Sequence, residues 1–184
     1  MPKNLNEQNL TEQPVIDWFK QLGYEYKFGP DISIGGVLLE RNIEDDFKDV
    51  ILENRLRSAL RRLNPELSEK DIDEVVYKLK KTENPNLEIV NKEIWEMLVG
   101  GVRIDVENKN KELRGVFAKV IDFQNPLNND FLVVNQFTIK GIEKIRRPDV
   151  IVFINGIPIA VFELKNPQIE EATIQTAYQQ LQEY

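Results

Sequence analysis

The sequence predicts an α+β domain in which a helical N-terminal half packs against a mixed β-sheet and a last helix crosses it. Three observations carry this expectation. Apolar residues recur at helical spacing as far as Leu98, the period changes to two from Val102 onward, and Asn166-Pro167 breaks the last strand ahead of a final helical stretch. Residues 1–10 are polar and Asn-rich and read as a mobile tail. The remainder, 11–184, reads as one domain without a linker or an internal repeat.

Taken in order, Thr11 offers an N-cap before Val15, Ile16, Phe19 and Leu22, and Gly23 terminates this first helix. Tyr24, Tyr26 and Phe28 alternate as a short strand, followed by turn-like Gly29-Pro30-Asp31 and Gly35-Gly36. From Asp46 to Leu63 the spacing of Val50, Ile51, Leu56, Leu60 and Leu63 predicts a second helix, stopped by Asn64-Pro65. Ser68 caps a third, with Ile72, Val75, Val76 and Leu79 on one face, and Leu87 to Leu98 forms a fourth that stops at Gly100-Gly101. Strands are expected over Val102 to Val106, Gly115 to Phe123 and Phe131 to Ile139, then a hairpin from about Arg146 to Leu164. Ala172 to Tyr184 reads as helix, with Ala177 and Leu181 as core contacts, and Trp18 and Trp95 read as core or interdomain residues. The chain stops within that helix, which suggests a piece of something longer.

Composition narrows the chemistry. Cysteine and histidine are both absent, which excludes thiol nucleophiles, disulfides, Cys or His zinc sites and Ser-His-Asp triads built from this chain alone. Catalysis must use Asp, Glu, Lys, Arg, Tyr or a bound cation. No apolar run approaches the roughly 20 residues of a membrane span and the polar start is no signal peptide, so the default compartment is the cytoplasm and no membrane partner is expected. A net charge of −7 argues against a free-standing nucleic-acid binder; if the chain meets DNA, other domains or partners are expected to help hold it there.

The informative stretch runs from Arg146 to Lys165. Two apolar runs, Val150 to Ile154 and Ile157 to Phe162, read as strands buried on both faces and joined at Asn155-Gly156, with ionisable residues only at their open ends. Asp149 and Glu163 can supply hard oxygen ligands for Mg²⁺, and the backbone carbonyl of Leu164 can add a third. Lys165 shares a strand face with Glu163 and can orient an attacking water or stabilise developing negative charge. Glu-x-Lys also occurs at Glu25-Tyr26-Lys27 and Glu107-Asn108-Lys109, but only the third copy ends a buried strand whose partner opens with Pro148-Asp149. Parity sets a condition. A two-residue Asn155-Gly156 turn pairs Ile154 with Ile157 and turns Asp149 to the face opposite Glu163, whereas a three-residue loop pairs Phe153 with Ile157 and brings both to one face. A metal site therefore requires an odd-length loop, a bulge, or an Asp149 beyond the regular ladder.

At these residues the sequence resembles the PD-(D/E)xK nuclease superfamily, and more closely the amino-terminal endonuclease region of the restriction (R, HsdR-type) subunit of type I restriction-modification enzymes. The resemblance takes in Glu12 and the helix to Leu22-Gly23-Tyr24, Leu63-Asn64-Pro65, Asn125-Pro126 with Asn129, Val134-Asn135-Gln136, Arg147-Pro148-Asp149, Asn155-Gly156-Ile157-Pro158, Glu163-Leu164-Lys165-Asn166 and Gln180-x-x-x-Tyr184. It implies a restriction-endonuclease-like fold, a central mixed sheet flanked by helices, and a Mg²⁺-dependent phosphodiesterase, with Mn²⁺ able to substitute, that cuts double-stranded DNA within a large complex.

The same resemblance implies Asp149 and Glu163 as metal ligands, Lys165 as the catalytic lysine, and Gln180 and Tyr184 as a Q-x-x-x-Y pair on one helix face that contacts DNA or supports the site. Glu12 either approaches the metal or complements its helix dipole, and Arg146 and Arg147 either meet a phosphate or are solvated. Asn135 and Gln136 receive no role. Family partners are modification and specificity subunits and C-terminal translocase domains of the same subunit. ATP belongs to that longer subunit, since no G-x-x-x-x-G-K-[ST] loop is present in this chain. Two alternatives to a type I restriction nuclease are a non-catalytic DNA-binding or assembly module of the same fold and a stand-alone repair or junction-resolving nuclease.

Overall fold

A computed structural model describes residues 11–41, 47–81, 84–107, 111–141, 144–165 and 174–182. The tail 1–10, Asn166 and Tyr184 lie outside the described residues. Contacts divide the chain into two compact units, Ile51–Asp130 and a second made of Met1–Val50 with Phe131–Tyr184.

The discontinuous unit is built on a four-stranded mixed sheet of β1 (Glu25–Phe28), β4 (Phe131–Asn135), β7 (Val150–Ile154) and β8 (Ile157–Phe162), in that spatial order. β1 runs parallel to β4, and the other two pairings are antiparallel. β7 is buried along its length because it is interior to the sheet, as the unbroken apolar run Val150–Phe153 predicts. β8 is different. It is an edge strand with alternating burial, not a strand covered on both faces, and its edge position accommodates Pro158, which cannot donate to a ladder.

Helix α1 (Gln13–Gln21) lies on one face of this sheet, where Ile16 joins Val133, Val150 and Val152 in a buried cluster flanked by Phe19, Tyr24, Tyr26, Phe162 and Leu164. Its apolar side is one-sided: Ile16 is buried, while Trp18 is 65% exposed and is no core residue. Gly23, at φ 91, ends the helix by donating its N–H to the Lys20 carbonyl, as expected of a C-terminal glycine. α6 (Ile174–Leu181) buries none of its residues, so Ala177 and Leu181 are not the core contacts their spacing suggested. A one-turn helix α2 (Gly29–Ile32) replaces the expected turn; Pro30 suits a first helical turn because its missing N–H is not needed there. The expected strand from Phe131 to Ile139 stops at Asn135 because Gln136 adopts φ 55, and Ile139–Lys140 (β5) instead pairs with Ile145–Arg146 (β6) as a separate ribbon.

The unit Ile51–Asp130 holds α3 (Glu53–Leu63), α4 (Glu69–Lys80), α5 (Leu87–Gly100) and an antiparallel pair, β2 (Val102–Glu107) with β3 (Leu113–Ala118). Its core is made by Leu56, Ala59, Leu60, Ile72, Val75, Val76, Val102 and Ile104. α3 starts seven residues later than the spacing from Asp46 predicts, since the segment before it is held by other partners: the Phe47 carbonyl accepts from Lys140 N–H. Ser68 caps α4 as expected, in a capping box with Asp71. α5 buries only Val90, and Trp95 is 62% exposed.

Two polar devices end the elements of this unit. Asn64 donates to the Leu60 and Lys119 carbonyls and accepts from Lys119 N–H, so one side chain closes α3 and takes up the backbone just past β3. Next, Asp122 Oδ1 accepts from the Gln124 and Asn125 N–H groups and Oδ2 from Asn128 Nδ2, while Asn129 donates back to the Asp122 carbonyl. These bonds turn the chain where a strand as far as Phe123 was expected.

The Asn128 amide first, and then the Asn125 N–H, hold the Asp122 carboxyl below its ordinary value of 3.8. The carboxylate is therefore favoured in the folded state, and its contribution to stability is present above the unfolded value and is lost as pH falls through the depressed folded one. Denaturant unfolding of Asp122→Asn should show the largest destabilisation relative to the parent above about pH 4. The gap should narrow below that pH; a gap independent of pH contradicts the assignment.

Candidate nuclease site

The hairpin Val150–Phe162 decides what the strand ends can do. Asn155 and Gly156 both have positive φ, 52 and 78, the requirement of a two-residue type I′ turn, and Ile154 pairs with Ile157. Continued without interruption, that register turns Asp149 and Glu163 to opposite faces. It does not continue. Phe153 pairs with Pro158 but Val152 pairs with Ala160, so Ile159 is an extra residue in β8 and the ladder is bulged at that point. Beyond the bulge Val150 lies opposite Phe162, where the ladder ends, so Asp149 and Glu163 stand just outside both strands and on the same parity of the register. The bulge is one of the three arrangements that parity allows for a metal site, and it sits on the edge strand, beside a proline, where an interrupted ladder costs least.

Side-chain contacts tie the strand ends together. Asp149 Oδ2 accepts from the Leu164 N–H at 2.6 Å, which fixes the carboxylate against the end of β8. Asp149, Glu163 and Lys165 are each half-buried, and the Glu163 Oε2 atom is itself buried. Lys165 Nζ donates to Gln180 Oε1 of α6 at 2.5 Å, so the lysine and the glutamine of the Q-x-x-x-Y pair meet. Tyr184, the other member, lies outside the described residues. Arg147 is exposed two residues before Asp149, and Arg146 is half-buried in β6.

Glu12 is 2% exposed at the N-terminal end of α1, where its oxygens accept from Asn135 Nδ2 at 2.8 Å and Gln136 Nε2 at 2.7 Å. Tyr26 donates its hydroxyl to Asn135 Oδ1 at 3.0 Å, which leaves the Asn135 amide group facing Glu12. Burial first, and then the charges of Glu12 and Asp31, push the Tyr26 phenol above 10.0 and keep it a donor. Gln136 also donates its backbone N–H to the Asp149 carbonyl at 3.2 Å. Reasoning from residue types missed Tyr26, Asn135 and Gln136. Their signal was a pair of carboxamides directly after a buried β run, where polar side chains must find buried partners.

As a cation site, the chemistry of the donors fits a hard divalent ion. Asp149 and Glu163 offer two carboxylates at adjoining strand ends and Leu164 offers a carbonyl; no histidine or cysteine is available to prefer zinc. Among the described residues no group of three acidic side chains converges, so a bound ion would keep several waters, as Mg²⁺ does. No helix among the described residues is long and apolar enough to cross a membrane.

A mixed sheet flanked by helices is consistent with a restriction-endonuclease-like fold. Residues 4–184 match the family described as type I restriction enzyme R protein N terminus, and the chain belongs to that family. It is 35% identical over 181 residues to the type I restriction enzyme HindI endonuclease subunit of Haemophilus influenzae, covering 98% of this chain and 17% of that protein. It is also 40% identical over 168 residues to a Methanocaldococcus jannaschii protein provisionally named the type I restriction enzyme MjaIXP endonuclease subunit, covering 89% of this chain and 16% of that one. The chain thus spans less than a fifth of the length of these relatives.

Gly29 shows how tightly this region is built. A Cβ placed there would stand 2.7 Å from the Asn135 carbonyl oxygen and 2.5 Å from that of Gln136, so only glycine lets α2 approach β4. Gly29→Ala should lower stability by about 1–3 kcal/mol in denaturant unfolding. Unchanged stability contradicts the close approach.

Proposed function

We propose that this chain is the nuclease domain of a type I restriction R subunit, hydrolysing phosphodiester bonds of double-stranded DNA with a metal-activated water. The observation that supports the reading is the bulge at Ile159, because despite a two-residue turn it pairs Val150 with Phe162 and so gives the neighbouring Asp149 and Glu163 the same parity. Asp149, Glu163 and the Leu164 carbonyl would hold Mg²⁺, or Mn²⁺ in its place. When bound, such an ion supplies a more acidic water and a counter-charge for the phosphate.

The chain's own groups do the remainder. The Leu164 N–H holds the Asp149 carboxylate in place before substrate arrives, which limits rearrangement at the moment of reaction. Gln180 restrains the Lys165 ammonium from the C-terminal helix, so that its charge is aimed rather than free to rotate. Lys165 then orients the attacking water and stabilises the charge that accumulates on the phosphoryl oxygens. Tyr184, assigned through the family resemblance, contacts DNA or supports the site, and Arg147 contacts a backbone phosphate beside the cut. With a net charge of −7, this chain depends for DNA affinity on other parts of a larger assembly, which we take to be ATP-driven translocase domains of the same subunit and the modification and specificity subunits.

The test uses that whole assembly, since cleavage in it is coupled to translocation. Glu163→Ala and Lys165→Ala should each lower DNA cleavage at least about 100-fold, the scale of losing a group that stabilises transition-state charge. Thermal unfolding should shift little, because both residues end a strand and lie outside the core. Loss of folding in place of activity, or cleavage at the parent rate, contradicts the reading.

A further inference from the structure

Glu12, which by resemblance either approaches a metal or complements its helix dipole, has surroundings that give it a third task. Both of its oxygens accept from carboxamides, Asn135 on one and Gln136 on the other, and the carboxylate is 2% exposed. Gln136 is held in a left-handed conformation, φ 55, that a residue with a side chain adopts only under local compensation. Its side-chain amide provides that compensation by bonding Glu12, and in this conformation its backbone N–H meets the Asp149 carbonyl. We propose that Gln136 is a positioning residue: clamped between Glu12 and Asp149, it transmits the fixed place of α1 to the carboxylate at the end of β7.

The inference rests on the metal reading of Asp149 and Glu163 and deepens it. Asn135 completes the clamp, because the Tyr26 hydroxyl occupies its oxygen and turns its amide group toward Glu12. Groups that orient a ligand without touching the ion commonly change metal affinity by about 10- to 100-fold when removed. A clamp of this kind depends on complementary donors and acceptors, not on a negative charge at position 12. The donor and acceptor of the Glu12–Gln136 pair can therefore be exchanged. In Glu12→Gln/Gln136→Glu, the new carboxamide at position 12 still accepts from Asn135 and now donates to the new carboxylate at position 136.

Mn²⁺ binding to the 184-residue chain, followed by the loss of free-ion EPR signal, tests this without any need for cleavage. Gln136→Ala should weaken binding about tenfold, Glu12→Gln should weaken it by a smaller factor because neutral hydrogen bonds replace charge-assisted ones, and the exchanged double variant should recover most of the parent affinity. Tyr26→Phe removes one hydroxyl and serves if Gln136→Ala fails to fold; it should weaken binding in the same direction by a smaller factor. If Glu163→Ala abolishes binding while Gln136→Ala and Tyr26→Phe leave it unchanged, the clamp is wrong and the metal reading stands. If the double variant binds as poorly as Glu12→Gln, a charge at position 12 itself reaches the ion and the positioning role is overturned. A parent chain that binds no Mn²⁺ overturns both the clamp and the metal reading.

Discussion

Side chains on a β-strand alternate between faces, so one residue inserted or removed decides whether two strand ends share a surface. In this protein that constraint falls on a hairpin only a few residues long. Asn155-Gly156 is well suited to a two-residue turn, because both positions need positive φ and these two residue types tolerate it with least strain. Such a turn alone would leave Asp149 and Glu163 back to back. The extra residue at Ile159 reverses the parity of β8, so that Val150 pairs with Phe162 and the carboxylates that follow stand on one parity. Its location follows from the sheet: β8 is at the edge, so an interrupted ladder exposes backbone groups to water and not to the core, and Pro158 already lacks a donor. The tight turn, the edge position and the bulge form one arrangement.

Around that hairpin the polar groups are held by partners that leave little freedom. A buried carboxylate such as Glu12 is costly to desolvate unless its oxygens are satisfied, and two carboxamides from the end of β4 satisfy them. The same two residues lie against Gly29, so helix α2, strand β4 and the N-terminal end of α1 are fixed to each other through backbone as well as side chains. Leu164 serves twice: its side chain packs into the cluster around Ile16, and its N–H holds Asp149. Packing on one side of β8 is thereby coupled to carboxylate placement on its end.

Much of this was legible in the sequence. Periodicity found helices α1, α4 and α5, the cap at Ser68, the stop at Gly23 and the buried run of β7, because each depends on local spacing or on one residue's conformational preference. It failed where a distant partner decided the outcome. The early end of β4 at Gln136, which bonds Glu12, and the end of β3, where Lys119 bonds Asn64, involve partners far along the chain, and the segment before α3 is likewise held from Lys140. Of the two places expected for Trp18 and Trp95, the core is excluded, since both face outward. For the site, Asp149, Glu163 and Lys165 could be named from residue type and position, and Gln180 only from the family resemblance. Their register could only be stated as alternatives, since a bulge has no reliable signature beyond the proline beside it. Asn64, Asn129, Asn135 and Gln136 were visible as points of family resemblance without a role. In the structure Asn64 and Asn129 take the place of backbone partners, while Asn135 and Gln136 satisfy the buried Glu12 carboxylate.

The account depends most on one geometric statement, that the ends of β7 and β8 form a single cation site. A crystal of the chain soaked in Mn²⁺ and measured for anomalous scattering addresses it directly. The expected result is a peak between Asp149 and Glu163 with metal–oxygen distances of about 2.0–2.3 Å. A well-ordered hairpin with the two carboxylates on opposite faces and no peak between them would contradict it.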